Sequence, residues 1–214
     1  MKLSHQVQFV EMEFVNRCAT IRSFCSNVYP MLKASYEVYE HIRAEARARD
    51  IEADGDIPND ATYEHGEEIE VACEQAPVSE AIGLVGLFSL VYIVCALEKF
   101  FEAVLKSCGW KTQEPLKIKR ALATIEKEVG GEVLQTDERE LLNEVINARN
   151  DFVHRRGRAD RAKKFVRDCG VDADGNPVRE ISFTRENVIE VTTELERISS
   201  HLVEGCKPFS ASFP

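Results

Sequence analysis

Between Asp137 and Gly157 the chain sets an arginine, an asparagine and a histidine at positions 149, 150 and 154, side chains able to handle an anion and a proton. Read as a helix, the segment puts Leu142, Ile146 and Val153 on one apolar line with Arg149. A guanidinium in an apolar stripe is costly unless something anionic meets it. Beside that stripe runs a second one, Asn143, Asn147, Asn150 and His154, polar but uncharged on a helix otherwise rich in Glu and Arg. Solvated faces usually carry charge, so neutral amides and an imidazole suit a tight, partly buried seam. Asn150 and His154 stand one turn apart and can act on the same small group. The same spacing also has a purely structural explanation: a His near a helix end caps carbonyls, and an Arg in a stripe bridges to a Glu of a neighbouring helix. Spacing leaves both readings open.

Several elements must position these residues. Asp137 with Glu140 three residues later reads as a capping box opening the helix that runs through His154. Before it, Leu116, Ala123 and Ile125 mark a helix with Pro115 in its first turn and Gly130-Gly131 at its end. A longer apolar helix is expected from a Ser79 cap through Lys106, ending near Gly109. After the histidine, Arg158–Asp168 reads as a short basic helix or loop. Asp174-Gly175-Asn176-Pro177 is a turn, with Val178 and Ile181-Ser182-Phe183 available for a small hairpin around it. Thr184 starts a final helix carrying Val188, Val191, Leu195, Ile198 and Leu202.

Upstream, Val7, Val10, Phe14, Cys18, Ile21, Cys25 and Val28 form one face of a first helix, expected to stop near Pro30. A second helix is expected from Met31 to Arg49 with Leu32, Tyr39 and Ile42 inward, and residues 50–64 turn acidic and loop-like. The expected organisation is an N-terminal helical pair over 1–50, an acidic linker or short helix over 51–78, and a helical domain over 79–214. The fold class is all-α, with room for one small β-hairpin.

With 214 residues, 44% hydrophobic and 30% charged, the chain suits one substantial globular domain or a core with an extension. A net charge of −10 argues against a surface coated in nucleic acid, but leaves room for a basic site on an acidic body. Arg155, Arg156, Arg158, Arg161, Lys163, Lys164 and Arg167 follow the histidine directly, opposed by Asp160 and Asp168. Such a run is usually a solvated face, and beside the motif it can track a phosphate backbone. No aromatic-rich platform accompanies it, so sequence-specific base reading is not indicated.

The seven cysteines include no C-x-x-C pair and read as reduced, mostly buried thiols of a cytoplasmic protein, not as zinc ligands. No glycine-rich phosphate loop is present, and Asp172-x-Asp174-Gly175 fails as a calcium loop because the first and last ligand positions hold Gly170 and Ile181. No metal and no cofactor are expected. No secretory signal is expected, because Met1-Lys2-Leu3-Ser4-His5-Gln6 holds no apolar core and no cleavage site. Ala81–Leu97 is a candidate membrane span, but it is short, holds Gly83, Gly86 and Ser89, and is bracketed by Glu80 and Glu98 instead of basic anchors. A central helix buried on most sides is expected there, and no membrane association.

Ala148-Arg149-Asn150-Asp151-Phe152-Val153-His154-Arg155-Arg156-Gly157 resembles the signature of HEPN domains: an Arg, a polar residue, then a His after a short gap near a helix end. Ala96-Leu97-Glu98-Lys99-Phe100-Phe101 with Val104-Leu105, and Ser182-Phe183-Thr184-Arg185-Glu186-Asn187-Val188, are similar to the family's preceding and final elements. The resemblance spans roughly 79–204 and leaves residues 1–78 unmatched. It implies a HEPN-like helical bundle, and a metal-independent endoribonuclease that pairs as a homodimer with both signature helices facing one RNA cleft. Arg149, Asn150 and His154 are then the catalytic candidates, and Arg155, Arg156, Arg158, Arg161, Lys163 and Lys164 the RNA-binding ones. A toxin or antiviral effector is the expected role, with any antitoxin or regulatory partner unidentified. Some HEPN toxins carry a Tyr two residues after the His, the target of a nucleotidyltransferase antitoxin; here that position is Arg156, which sets this form of control in doubt. The competing expectations are a non-catalytic HEPN-like dimerisation or RNA-binding module, and a membrane-associated helical protein built around Ala81–Leu97.

Overall fold

The computed structural model describes residues 3–53, 66–111 and 116–210. Along the chain run α1 (Leu3–Ala53), α2 (Gly66–Ser107), α3 (Ile118–Val129), α4 (Thr136–His154), β1 (Val166–Val171), β2 (Pro177–Ile181) and α5 (Arg185–Ser210). The chain is therefore mostly helical, and the small hairpin is present, β1 pairing antiparallel with β2 from Val166↔Ile181 to Val171↔Pro177. It divides into two compact units, Met1–Cys25 with Gly86–Pro214, and Ser26–Val85.

In the first unit the core is built from one face of each helix. Leu90, Ile93, Leu97 and Phe101 of α2 are buried, as are Ile125 of α3, Leu142, Val145 and Ala148 of α4, and Val188, Val191, Leu195, Ile198 and Leu202 of α5. Each large side chain fully withdrawn from water contributes about 1.5–3 kcal/mol. Val7, Phe14, Cys18, Ile21 and Cys25 of α1 are buried at steps of three, four and seven, the face expected for this segment. Phe14 lies against Phe100 with ring centroids 4.7 Å apart.

The apolar stretch of α2 differs from expectation. It is a one-sided helix, not one buried on most sides, with Phe88 61% and Tyr92 51% exposed and Cys95 also outside. Residues Glu70–Ser107 are long and apolar enough to cross a membrane, and 44% of that apolar window is buried within the protein. Gly86 is used for close approach: a Cβ there would stand 1.5 Å from the Phe183 carbonyl oxygen, so only glycine lets α2 touch the chain after β2. Phe183 itself is buried, edge-on to Phe165 at 4.9 Å between centroids. Cys18, Cys25, Cys108 and Cys206 are buried, whereas Cys73, Cys95 and Cys169 are exposed.

α3 ends as expected at Gly130, which takes the left-handed conformation (φ 81°) and donates its N–H to the Glu126 carbonyl. Its inward face is Ile118, Ala121, Leu122 and Ile125, and Ala123 points outward. Pro115 lies outside the described residues. Thr184 caps α5 as expected, exchanging hydrogen bonds with Asn187.

The second unit comprises parts of α1 and α2. The expected stop at Pro30 does not occur: α1 runs through Pro30, and α2 runs through Pro77 and Ser79, which therefore caps nothing. A proline in a helix forfeits one backbone hydrogen bond and crowds the preceding turn. Both prolines are exposed, so water can meet the carbonyl each leaves free. The inward line is Leu32, Tyr36, Tyr39, Arg43 and Ala46, with Ala46 fully buried, while Ile42 is 38% exposed instead of inward. Buried Gln75 donates to the Glu40 carboxylate. The acidic stretch between the helices lies largely outside the described residues.

Candidate functional site

α4 opens two residues earlier than its sequence suggests. Gln135 is the N-cap, its side chain accepting the Glu138 N–H while Glu138 Oε2 accepts the Gln135 N–H at 2.8 Å. Glu138, not Glu140, closes the box because it is the buried carboxylate, 1% exposed, with His201 Nδ1 2.8 Å from its Oε1 and Arg197 3.6 Å away. A buried anion needs such partners. Arg139, one residue on, holds Glu126 with both terminal nitrogens, Nη1 to Oε2 at 3.0 Å, and so fixes α3 against α4.

The buried stripe of α4 is Glu138, Leu142, Val145, Ala148 and Asp151. Ile146 is only half-buried and Val153 is 47% exposed, so the line through Arg149 borders the core without being the core. Arg149 is half-buried; it does not bridge to a Glu of a neighbouring helix but turns Nη1 to Asn150 Oδ1 at 3.0 Å. Its Nε is buried and unpartnered.

Asn147, Arg149, Asn150 and His154 line one groove of about 700 Å³ in the first unit. α3 and the residues before it contribute Leu116, Lys117, Ile118, Lys119 and Arg120, α2 contributes Val94 and Glu98, and the loop after α4 contributes Arg161. Among the described residues, five permanent cations and His154 thus share this groove with one carboxylate, Glu98. On a chain of net charge −10 this is a concentrated reversal of sign. Asn143 does not belong to it. That residue lies on a separate depression with Asp137, Glu140, Glu144, Lys163 and Lys164, so the expected four-residue seam is divided between two surfaces.

The basic run after α4 is dispersed as well. Arg155 pairs with Asp160 at 3.5 Å, Arg158 with Asp172 at 3.7 Å, Lys164 with Glu190 at 2.8 Å and Arg167 with Glu180 at 3.1 Å. Arg156 is exposed with φ 54°, an unusual conformation for a residue with a side chain. Arg161 alone of this run lines the groove.

The sequence pattern does not show what holds Arg161 there. Asp151, 1% exposed, accepts the backbone N–H groups of Asp160, Arg161 and Ala162 on Oδ2 at 3.0, 2.6 and 2.9 Å. Glu144 Oε2 accepts those of Lys163 and Lys164 at 2.7 and 2.9 Å. Gly157 (φ 85°) turns the chain out of α4, and its carbonyl accepts the Ile181 N–H at 2.7 Å. The segment expected as a basic helix or loop is therefore an irregular loop clasped by two α4 carboxylates, followed by β1.

Lys117, Lys119, Arg120 and Glu98 are likewise absent from the residues that sequence nominates. A signal existed: Lys117-Ile118-Lys119-Arg120 puts cations at the positive end of a helix, and Asp151 puts an anion at the negative end of another, both unfavourable with the helix dipole unless compensated. Among the described residues no group of three or more His, Cys, Asp or Glu side chains is placed to hold a metal. An Arg fork, an amide and an exposed imidazole in a cationic groove can bind a phosphodiester and move a proton beside it. No protein-family model matches this chain, and no curated protein or solved structure matches it.

Proposed function

We propose that the protein is an endoribonuclease of the HEPN type, acting in the cytoplasm as a toxin or antiviral effector. The supporting observation is that Arg149, Asn150 and His154 share one groove with four further cations on an otherwise acidic chain. The 2′-hydroxyl of RNA attacks the adjacent phosphorus and gives up its proton to a base. The bond from phosphorus to the 5′-oxygen breaks, and that oxygen takes a proton from an acid. Products are a 2′,3′-cyclic phosphate and a 5′-hydroxyl. Arg149 holds the non-bridging oxygens as charge builds on them, and Asn150 orients the phosphate or the imidazole. His154 supplies one of the two proton transfers, worth about 10²–10⁴-fold. A second copy of the chain, paired so that both α4 helices face one cleft, supplies the other. The nucleophile belongs to the substrate, so the scheme requires no metal.

The deciding experiment incubates RNA with the purified protein and EDTA and identifies the product ends. Cyclic phosphate termini from the wild type and none from His154→Ala support the reading. Binding without cutting would instead favour a non-catalytic RNA-binding or dimerisation module, a reading favoured by the Arg149–Asn150 hydrogen bond, which engages the two side chains with each other.

A further inference from the structure

We infer that α3 is a second phosphate-binding wall: Lys117 and Arg120 hold backbone phosphates of single-stranded RNA beside the one at Arg149, independent of base sequence. The inference rests on the reading that Arg149 and His154 act on an RNA phosphodiester. Lys117 is the N-cap of α3 and Arg120 lies in its first turn, and both line the groove with Arg149, Arg161 and His154. Three other cations near the motif are paired with carboxylates, Arg155 with Asp160, Arg158 with Asp172 and Lys164 with Glu190. Among the described residues Lys117 and Arg120 form no ion pair, although Glu98 shares their groove, and α3 has no acidic residue in its first turn. Cations crowded at a helix start repel one another and oppose the helix dipole, an arrangement that an anion relieves. Among the described residues no Phe, Tyr or Trp lines the groove, so stacking on bases has no broad platform and the contacts fall on the sugar–phosphate backbone. The Arg139–Glu126 pair keeps the two walls in register.

The test uses the full chain carrying His154→Ala, which leaves RNA uncut, and two fluorescent RNA oligonucleotides of unrelated sequence titrated over a range of salt. Lys117→Gln with Arg120→Gln should weaken both oligonucleotides alike and reduce the salt slope by about 1.4, roughly 0.7 for each phosphate left without its cation. Glu98→Gln, which removes the groove's carboxylate, should tighten binding. With His154 intact, the double variant should raise KM and keep kcat at saturating RNA. Both positions are exposed, and the charge-preserving pair Lys117→Arg with Arg120→Lys should restore binding, which separates charge from folding. An unchanged slope and affinity in the double variant, with Arg149→Ala still weakening binding, would overturn the α3 wall and leave the ribonuclease reading standing. No RNA binding by the parent protein would overturn both. A loss confined to one of the two sequences would replace backbone tracking with base recognition.

Discussion

The backbone N–H of Arg161 donates to Asp151 Oδ2 at 2.6 Å, and this bond places a loop cation against the last turn of the helix that carries Arg149, Asn150 and His154. The carboxylate does more than close a turn. It lies at the C-terminal end of α4, where a negative charge is disfavoured, and three N–H groups of the following loop compensate it.

Asp151→Ala should therefore damage both stability and the groove. Three loop N–H groups lose their acceptor, at a cost of roughly 2–3 kcal/mol. Amide exchange at 160–162 should accelerate, and RNA affinity should fall because Arg161 is no longer held. Retained protection of those amides in a stable variant would contradict this role.

His154 is exposed near a helix end, so His154→Ala should abolish cleavage and shift unfolding by no more than about 0.5 kcal/mol. Arg149→Ala should also abolish cleavage, and Arg149→Lys should fail to rescue it, because an ammonium lacks the fork that holds two phosphate oxygens. Asn150→Ala should give a partial loss. A well-folded His154→Ala protein cutting at the wild-type rate would sink the catalytic assignment.

Gly86→Ala should destabilise the first unit by about 1–3 kcal/mol or more, since the added methyl meets the Phe183 carbonyl. Gly83→Ala, three residues earlier with open space around it, is the control and should be neutral or mildly stabilising. Equal melting temperatures for the two variants would refute the close-approach argument.

The hairpin turn should depend on pH through Asp172. Backbone N–H donation from Asn176 holds its carboxyl below the usual carboxylate range, with donation from Asp174 and the nearby Arg158 adding to the effect. A depressed folded-state pKa contributes stability that is present above the unfolded pKa and lost as pH falls through the folded one. Amide protection at 174 and 176 should fade below the ordinary aspartate range, and Asp172→Asn should remove that pH dependence. A profile unchanged by the substitution would assign the effect elsewhere.

Much of the helical architecture was legible because burial repeats at helical spacing. The faces of α1 and α5, the Gly130 stop and the Thr184 cap all follow from local pattern and cap chemistry. The hairpin was legible from its turn residues, although β1 was not, since Val166–Val171 is mostly exposed and carries little pattern. Asn150 and His154 could be nominated together because four residues along a helix bring side chains to one side, and Arg149 stands on the shoulder with a side chain long enough to reach across.

Tertiary structure decided the rest. Pro30 reads locally as a break and Ser79 as a helix start, yet α1 and α2 run through both, and Pro30 and Pro77 lie on exposed sides where the lost hydrogen bond is tolerable. The basic run reads as one surface, but the fold pairs Arg158, Lys164 and Arg167 with carboxylates distant in sequence and sends only Arg161 into the groove. Lys117, Arg120 and Glu98 stand far from the motif in sequence and join it only when α2, α3 and α4 pack around a shared core. Charge partners are chosen by through-space distance, which a linear pattern does not encode beyond one or two helical turns.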